Sequence, residues 1–81
     1  MIEVARIHKL ENGSSLKAFV DVIFAERLVI KGLRIVQGKK GLFVAMPTQQ
    51  SKDGKWHEIV NIFDVELRET LREAVFDAFN A

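Results

Sequence analysis

Apolar residues alternate with polar ones through most of the chain up to Phe63, then recur at helical spacing to the end. The cleanest alternation runs from Leu16 to Phe24. Leu16, Ala18, Val20, Val22 and Phe24 share one face of a strand, and Lys17, Phe19, Asp21 and Ile23 take the other. Ile2 to Leu10 alternates imperfectly, with Ile2 and Val4 on one side and Ala5 and Ile7 on the other. Glu11-Asn12-Gly13-Ser14 lies between these runs, and its Asn-Gly pair predicts a hairpin. A third run, Leu28 to Val36, changes phase at Gly32. Leu28 and Ile30 oppose Val29 before the glycine, and Leu33 and Ile35 alternate with Arg34 after it. Such a change predicts a bulge or bend.

The next stretch, Gly38 to Pro47, sets a glycine-bracketed basic turn against the chain's only proline. Between them Leu42-Phe43-Val44-Ala45-Met46 carries no charge and predicts a short buried strand, which Pro47 ends or leaves at an open edge. Lys52-Asp53-Gly54-Lys55 is a second turn signal, leading into a strand at Trp56 to Val60. A helix is predicted from Asp64, an N-cap residue. Leu67, Leu71, Ala74, Val75 and Ala78 then form an apolar stripe, with Arg68, Arg72 and Phe76 along one flank.

These elements predict an α+β fold within a single domain over residues 1–81. It is a small antiparallel β-sheet of four to five strands with one C-terminal helix packed on it. One helix covers one sheet face. Phe19 and Ile23 on the other face, and Phe76 on the far side of the helix, then need cover, and a homodimer is expected to supply it.

Charge changes this picture more than composition does. The net charge is only +1, but Lys31, Arg34, Lys39, Lys40, Lys52 and Lys55 face the single anion Asp53 in the middle of the chain. From Asp64 onward Asp64, Glu66, Glu69, Glu73 and Asp77 outnumber Arg68 and Arg72. A basic middle beside an acidic tail predicts a localised attraction for an anionic partner. The lysines serve either that attraction or solubility.

Cysteine is absent, which excludes disulfides and thiolate metal sites. His8 and His57 stand apart from any ligand-spaced carboxylates, and the serines lack a nucleophile-elbow context. Gly38-x-x-Gly41 lacks the length and following helix of a phosphate loop. No catalytic centre, metal or cofactor is expected. With neither a signal-peptide pattern nor an apolar run of membrane length, the expected location is the cytoplasm. What remains is a basic span with aromatic residues. Lys39, Lys40, Lys52 and Lys55 flank turns that can reach phosphates. Trp56 either stacks on a base or is buried in the core or a dimer seam.

Gly32-Leu33-Arg34-Ile35-Val36, then Gly38-x-x-Gly41-Leu42-Phe43-Val44-Ala45-Met46-Pro47, then Asp53-Gly54 and a strand into a terminal helix, resembles the stage V sporulation protein G family over nearly the whole chain. Members also carry the name septation protein. The resemblance implies a small dimerising α+β fold. It also implies a bacterial cytoplasmic regulator that affects septum formation, sporulation and gene expression. Binding of DNA or RNA is implied too, through basic residues after Met-Pro and in the helix, where Arg68 matches. The chain departs from the pattern after Met-Pro, with Thr48-Gln49-Gln50 in place of a serine and two cations. It departs again at Glu58-Ile59-Val60-Asn61-Ile62-Phe63, where many members read Asp-Ile-Ala-His-Pro-Ile. The alternative reading is a protein-interaction module for the division machinery, using Phe76, Trp56 or a sheet edge and no nucleic acid.

Overall fold

A computed structural model describes residues 2–11 and 13–81. The chain forms β1 (Ile2–Lys9), β2 (Leu16–Phe24), β3 (Leu28–Gly38), β4 (Gly41–Ala45), β5 (Thr48–Gln50), β6 (Trp56–Glu58) and α1 (Val65–Phe79). Strands β1 to β4 make an antiparallel meander in chain order, while β5 and β6 pair only with each other. This is the α+β fold expected. The strand at Trp56 belongs to a separate ribbon, because its partner is β5, an all-polar segment with no apolar alternation to announce it.

Two irregularities in the strand pairing are bulges that serve the core. Val4 pairs with Val22 and Arg6 with Asp21, which leaves Ala5 as an extra residue in β1. The extra residue resets the phase, so Ile2, Val4 and Ile7 all pack against the core. Ile7 therefore does not oppose Ile2 and Val4, as uninterrupted alternation predicted. In β3, Val20 pairs with Leu33 but Val22 with Ile30, so Lys31 and Gly32 together face Asp21. This is the bulge predicted at Gly32. Its φ of +86° suits glycine, and its N–H donates to Asp21 Oδ1 at 3.2 Å. The predicted hairpin between β1 and β2 forms, though Asn12 itself lies outside the described residues.

Ala18, Val20 and Val22 of β2, Leu33 and Ile35 of β3, and Leu71 and Val75 of α1 are fully buried between sheet and helix. Asp64 caps α1, its Oδ1 accepting from the Leu67 N–H at 3.2 Å. Phe76 departs from expectation: it is half-buried and packs on the core rather than standing on the far side, with the Arg72 guanidinium 5.7 Å from its ring centre. Strand β4 also departs, because it is an edge rather than a buried strand, with Leu42 38% and Phe43 48% exposed. The helix lies chiefly over β1 and only lightly over β4. A cleft of about 340 Å³ is left between β4 and α1, lined by Val44, Met46 and Leu71 among others.

Candidate nucleic-acid interface

The cations singled out in the sequence fall at three places. Lys39 and Lys40 form the exposed tip between β3 and β4, where Gly38 pairs with Gly41. Lys52 and Lys55 stand in the turn between β5 and β6, immediately before Trp56. Arg68 lies on α1 beside the β4 cleft, which it lines together with Arg72 and none of the four lysines. Trp56 is 65% exposed, which excludes burial in this chain's own core. Phe76, on the helix, does not join it.

The ribbon turn is internally fastened. Ser51 N donates to Lys55 O at 2.8 Å, and Gly54 N to Ser51 O at 3.0 Å. The Asp53 carboxylate accepts from the Ser51 hydroxyl and from the Lys55 N–H. These two bonds, the Ser51 one foremost, hold the Asp53 pKa below its ordinary 3.8. Ser51 Oγ also lies 3.2 Å from His57 Nε2. The set is not a hydrolytic triad, because Asp53 engages the serine rather than orienting the imidazole. The turn's one carboxylate is thus occupied by a hydroxyl and a main-chain amide. Among the described residues the single ion pair is Arg72–Glu69 on α1, so neither lysine is neutralised by a carboxylate.

A second feature lies on the sheet face away from the helix, and the reading of the sequence did not assemble it. Register places His8 opposite Phe19 and Phe19 opposite Arg34, one row across β1, β2 and β3. The next row sets Arg6 opposite Asp21, with the Lys31–Gly32 bulge beyond. Two depressions share Phe19 and Gly32. One, of about 310 Å³, adds Arg6, His8 and Asp21; the other, of about 480 Å³, reaches Lys31, Arg34 and Trp56. The ribbon is tied beside this groove by Ile59 N to Pro47 O at 3.0 Å, and Arg34 Nη2 donates to Met46 O at 3.2 Å. The alternation of β2 already put Phe19 on this face. The Ala5 bulge, which turns Arg6 and His8 toward the same side, leaves only a faint trace in sequence.

Fold and surface together define a small one-helix α+β protein with a partly open sheet face that carries cations and aromatic rings. The SpoVG family model matches residues 1–81, and the chain belongs to that family. It is 40% identical over 76 residues to the "Putative septation protein SpoVG" of Symbiobacterium thermophilum, covering 94% of this chain and 54% of that protein. The protein of the same name from Archaeoglobus fulgidus is 37% identical over 78 residues, covering 96% and 92%. That from Clostridium perfringens strain SM101 is 32% identical over 74 residues, covering 91% and 82%. The chain thus spans about half the length of the first relative and most of the other two. No helix among the described residues is long and apolar enough to cross a membrane.

Proposed function

We propose that this SpoVG-family chain is a regulatory protein that binds DNA or RNA as a homodimer. Lys39, Lys40, Lys52, Lys55 and Arg68 contact chiefly the phosphate backbone. The observation that carries this reading is the ribbon turn, whose main chain is fastened through Ser51, Asp53 and Lys55 while neither Lys52 nor Lys55 forms an ion pair, so that two ammonium groups stand against one carboxylate. A cation without an ion-pair partner, carried on a turn whose main chain is fixed, is free to displace condensed counterions from a polyphosphate. Gln49 and Gln50 stand where relatives are expected to carry cations, which places more of the electrostatic work on Lys52 and Lys55. Backbone contacts of this kind bring weak sequence preference and steep salt dependence.

The test is a gel-shift series over salt concentration with Lys52→Ala/Lys55→Ala. Loss of two phosphate contacts reduces the duplex log–log salt slope by about 1.8 and weakens binding similarly across sequences. Unchanged retention at low salt refutes the assignment of these lysines. A second reading is favoured by the unpaired edge of β4 and by Phe63, 90% exposed ahead of α1. In it the chain is a protein-interaction module acting on division machinery without nucleic acid. That reading requires a protein partner, lost on Phe63→Asp, and no retention of DNA or RNA.

A further inference from the structure

We propose that the open face of the main sheet is a stacking platform for single-stranded nucleic acid, with Phe19 as its central ring and Trp56 as its outer one. The proposal rests on the nucleic-acid reading above and adds to it the strand class and the surface. The His8–Phe19–Arg34 row sets an imidazole, a phenyl ring and a guanidinium abreast across neighbouring strands. Each is a flat group on which an unpaired base can stack. Phe19 is 42% exposed, so its ring is available at the centre of the row.

The groove has room beside that ring. A Cβ built on Gly32 would meet nothing within 4 Å, so the floor next to Phe19 is open. From there the depression continues to Trp56, which gives two aromatic surfaces along one path. A paired base presents only its edges, because its faces are covered by its neighbours in the duplex. Rings lying on a sheet therefore engage single strands.

Charge favours the same occupant. The fixed cations lining the two depressions are Arg6, Lys31 and Arg34, against the single carboxylate of Asp21. That carboxylate is engaged by the Gly32 N–H. Glu66, Glu69, Glu73 and Asp77 are all exposed on α1, which lies on the opposite side of the sheet. The sheet groove therefore attracts a polyanion more strongly than the acidic surface of α1 does, the Arg68 corner by the β4 cleft apart. A second copy of the chain seated face to face would bring the same cations into one two-fold seam, where their repulsion opposes association. Dimerisation then falls to other surfaces, such as the strand edges.

Trp56 is the sole tryptophan, so its emission reports directly on the groove. The probes are oligodeoxythymidine and oligouridine of about 12 nucleotides, within the usual span of a single-strand site, and a duplex of similar length. Wild type, Phe19→Ala, Phe19→Tyr and Trp56→Ala are compared, the last by anisotropy of labelled oligonucleotide. Solution mass is measured by light scattering for each. The expected result is quenching by the single strands and a loss of about 5- to 150-fold in their affinity for Phe19→Ala. Phe19→Tyr keeps the affinity, Trp56→Ala weakens it, and duplex binding and mass do not change. Undiminished single-strand binding in Phe19→Ala and Trp56→Ala, or equal losses for single strand and duplex, overturns the platform while leaving backbone binding standing. A fall in mass in Phe19→Ala assigns the face to a second copy and also overturns it. If wild type retains neither single strand nor duplex at low salt, the platform and the nucleic-acid reading fail together.

Discussion

The turn between β2 and β3 is built against the preferences of its residues, and replacing them should stabilise the protein. Ala25 and Glu26 have φ of +54° and +58°, and Arg27 N donates to Phe24 O at 3.1 Å. Positive φ at both central positions is the arrangement that matches the right-handed twist of the flanking strands, and it favours Asn-Gly. An L-residue with a Cβ held there loses about 1–2 kcal/mol. Both side chains are exposed, so little packing is lost on substitution. Glu26→Gly relieves that strain but loosens the unfolded chain by about 0.4–1 kcal/mol, leaving a net gain of roughly 0.5–1 kcal/mol. Ala25→Asn adds a few tenths, because asparagine tolerates the left-handed region. The double variant should therefore gain about 1 kcal/mol, or about 4–8 °C in Tm for a domain of this size. Thermal and urea unfolding followed by circular dichroism measures it, with Glu26→Ala as the control. That control removes the carboxylate but keeps the Cβ, and it should be neutral. If Glu26→Ala stabilises as much as Glu26→Gly, charge rather than backbone strain is responsible and the reasoning is wrong.

Two further outcomes test neighbouring features. Gly32→Ala should lose about 1 kcal/mol, since open space surrounds the new methyl but the φ of +86° does not suit it. Gly32→Asn should lose less, and equal stability of all three in urea would show that the bulge relaxes freely. The Asp53 carboxyl should titrate below its ordinary 3.8 by NMR, because the Ser51 hydroxyl and the Lys55 amide favour its ionised form. With the folded pKa depressed, its contribution to turn order is complete above the unfolded value and fades as pH falls through the folded one. Ser51→Ala should move the midpoint back up, and a midpoint indifferent to that change would remove Ser51 as the cause.

Much of the fold was legible because the signals were local. Leu16 to Phe24 reads as a half-buried strand from its alternation, and Ala18, Val20 and Val22 are indeed the buried set. Asp64 reads as a cap because a short carboxylate ahead of an apolar helical stripe has few better uses. Gly32 reads as a bulge because the phase of β3 changes there. The family, too, was legible from the Gly38–Pro47 string. Turn chemistry was less reliable, since the two residues at φ near +55° between β2 and β3 are Ala25 and Glu26 and carry no turn signature. There the twist of paired strands overrides local preference.

What the residues determined by themselves is the central buried set on β2, β3 and α1, where the main strands and the helix begin, and that the chain divides into a basic middle and an acidic end. Tertiary structure decided the rest, because it depends on register and on where the helix comes to lie. One unpaired residue at Ala5 turns Arg6 and His8 onto the face of Phe19, and no count of apolar spacing reveals which side a bulge selects. The helix settles toward β1, which leaves β4 as a half-exposed edge although its sequence is as apolar as a core strand. Phe76 packs on the core, while Trp56, on the separate β5–β6 ribbon, stays exposed. A sheet this small offers one sheltered face, and only the packed chain settles which large side chains reach it.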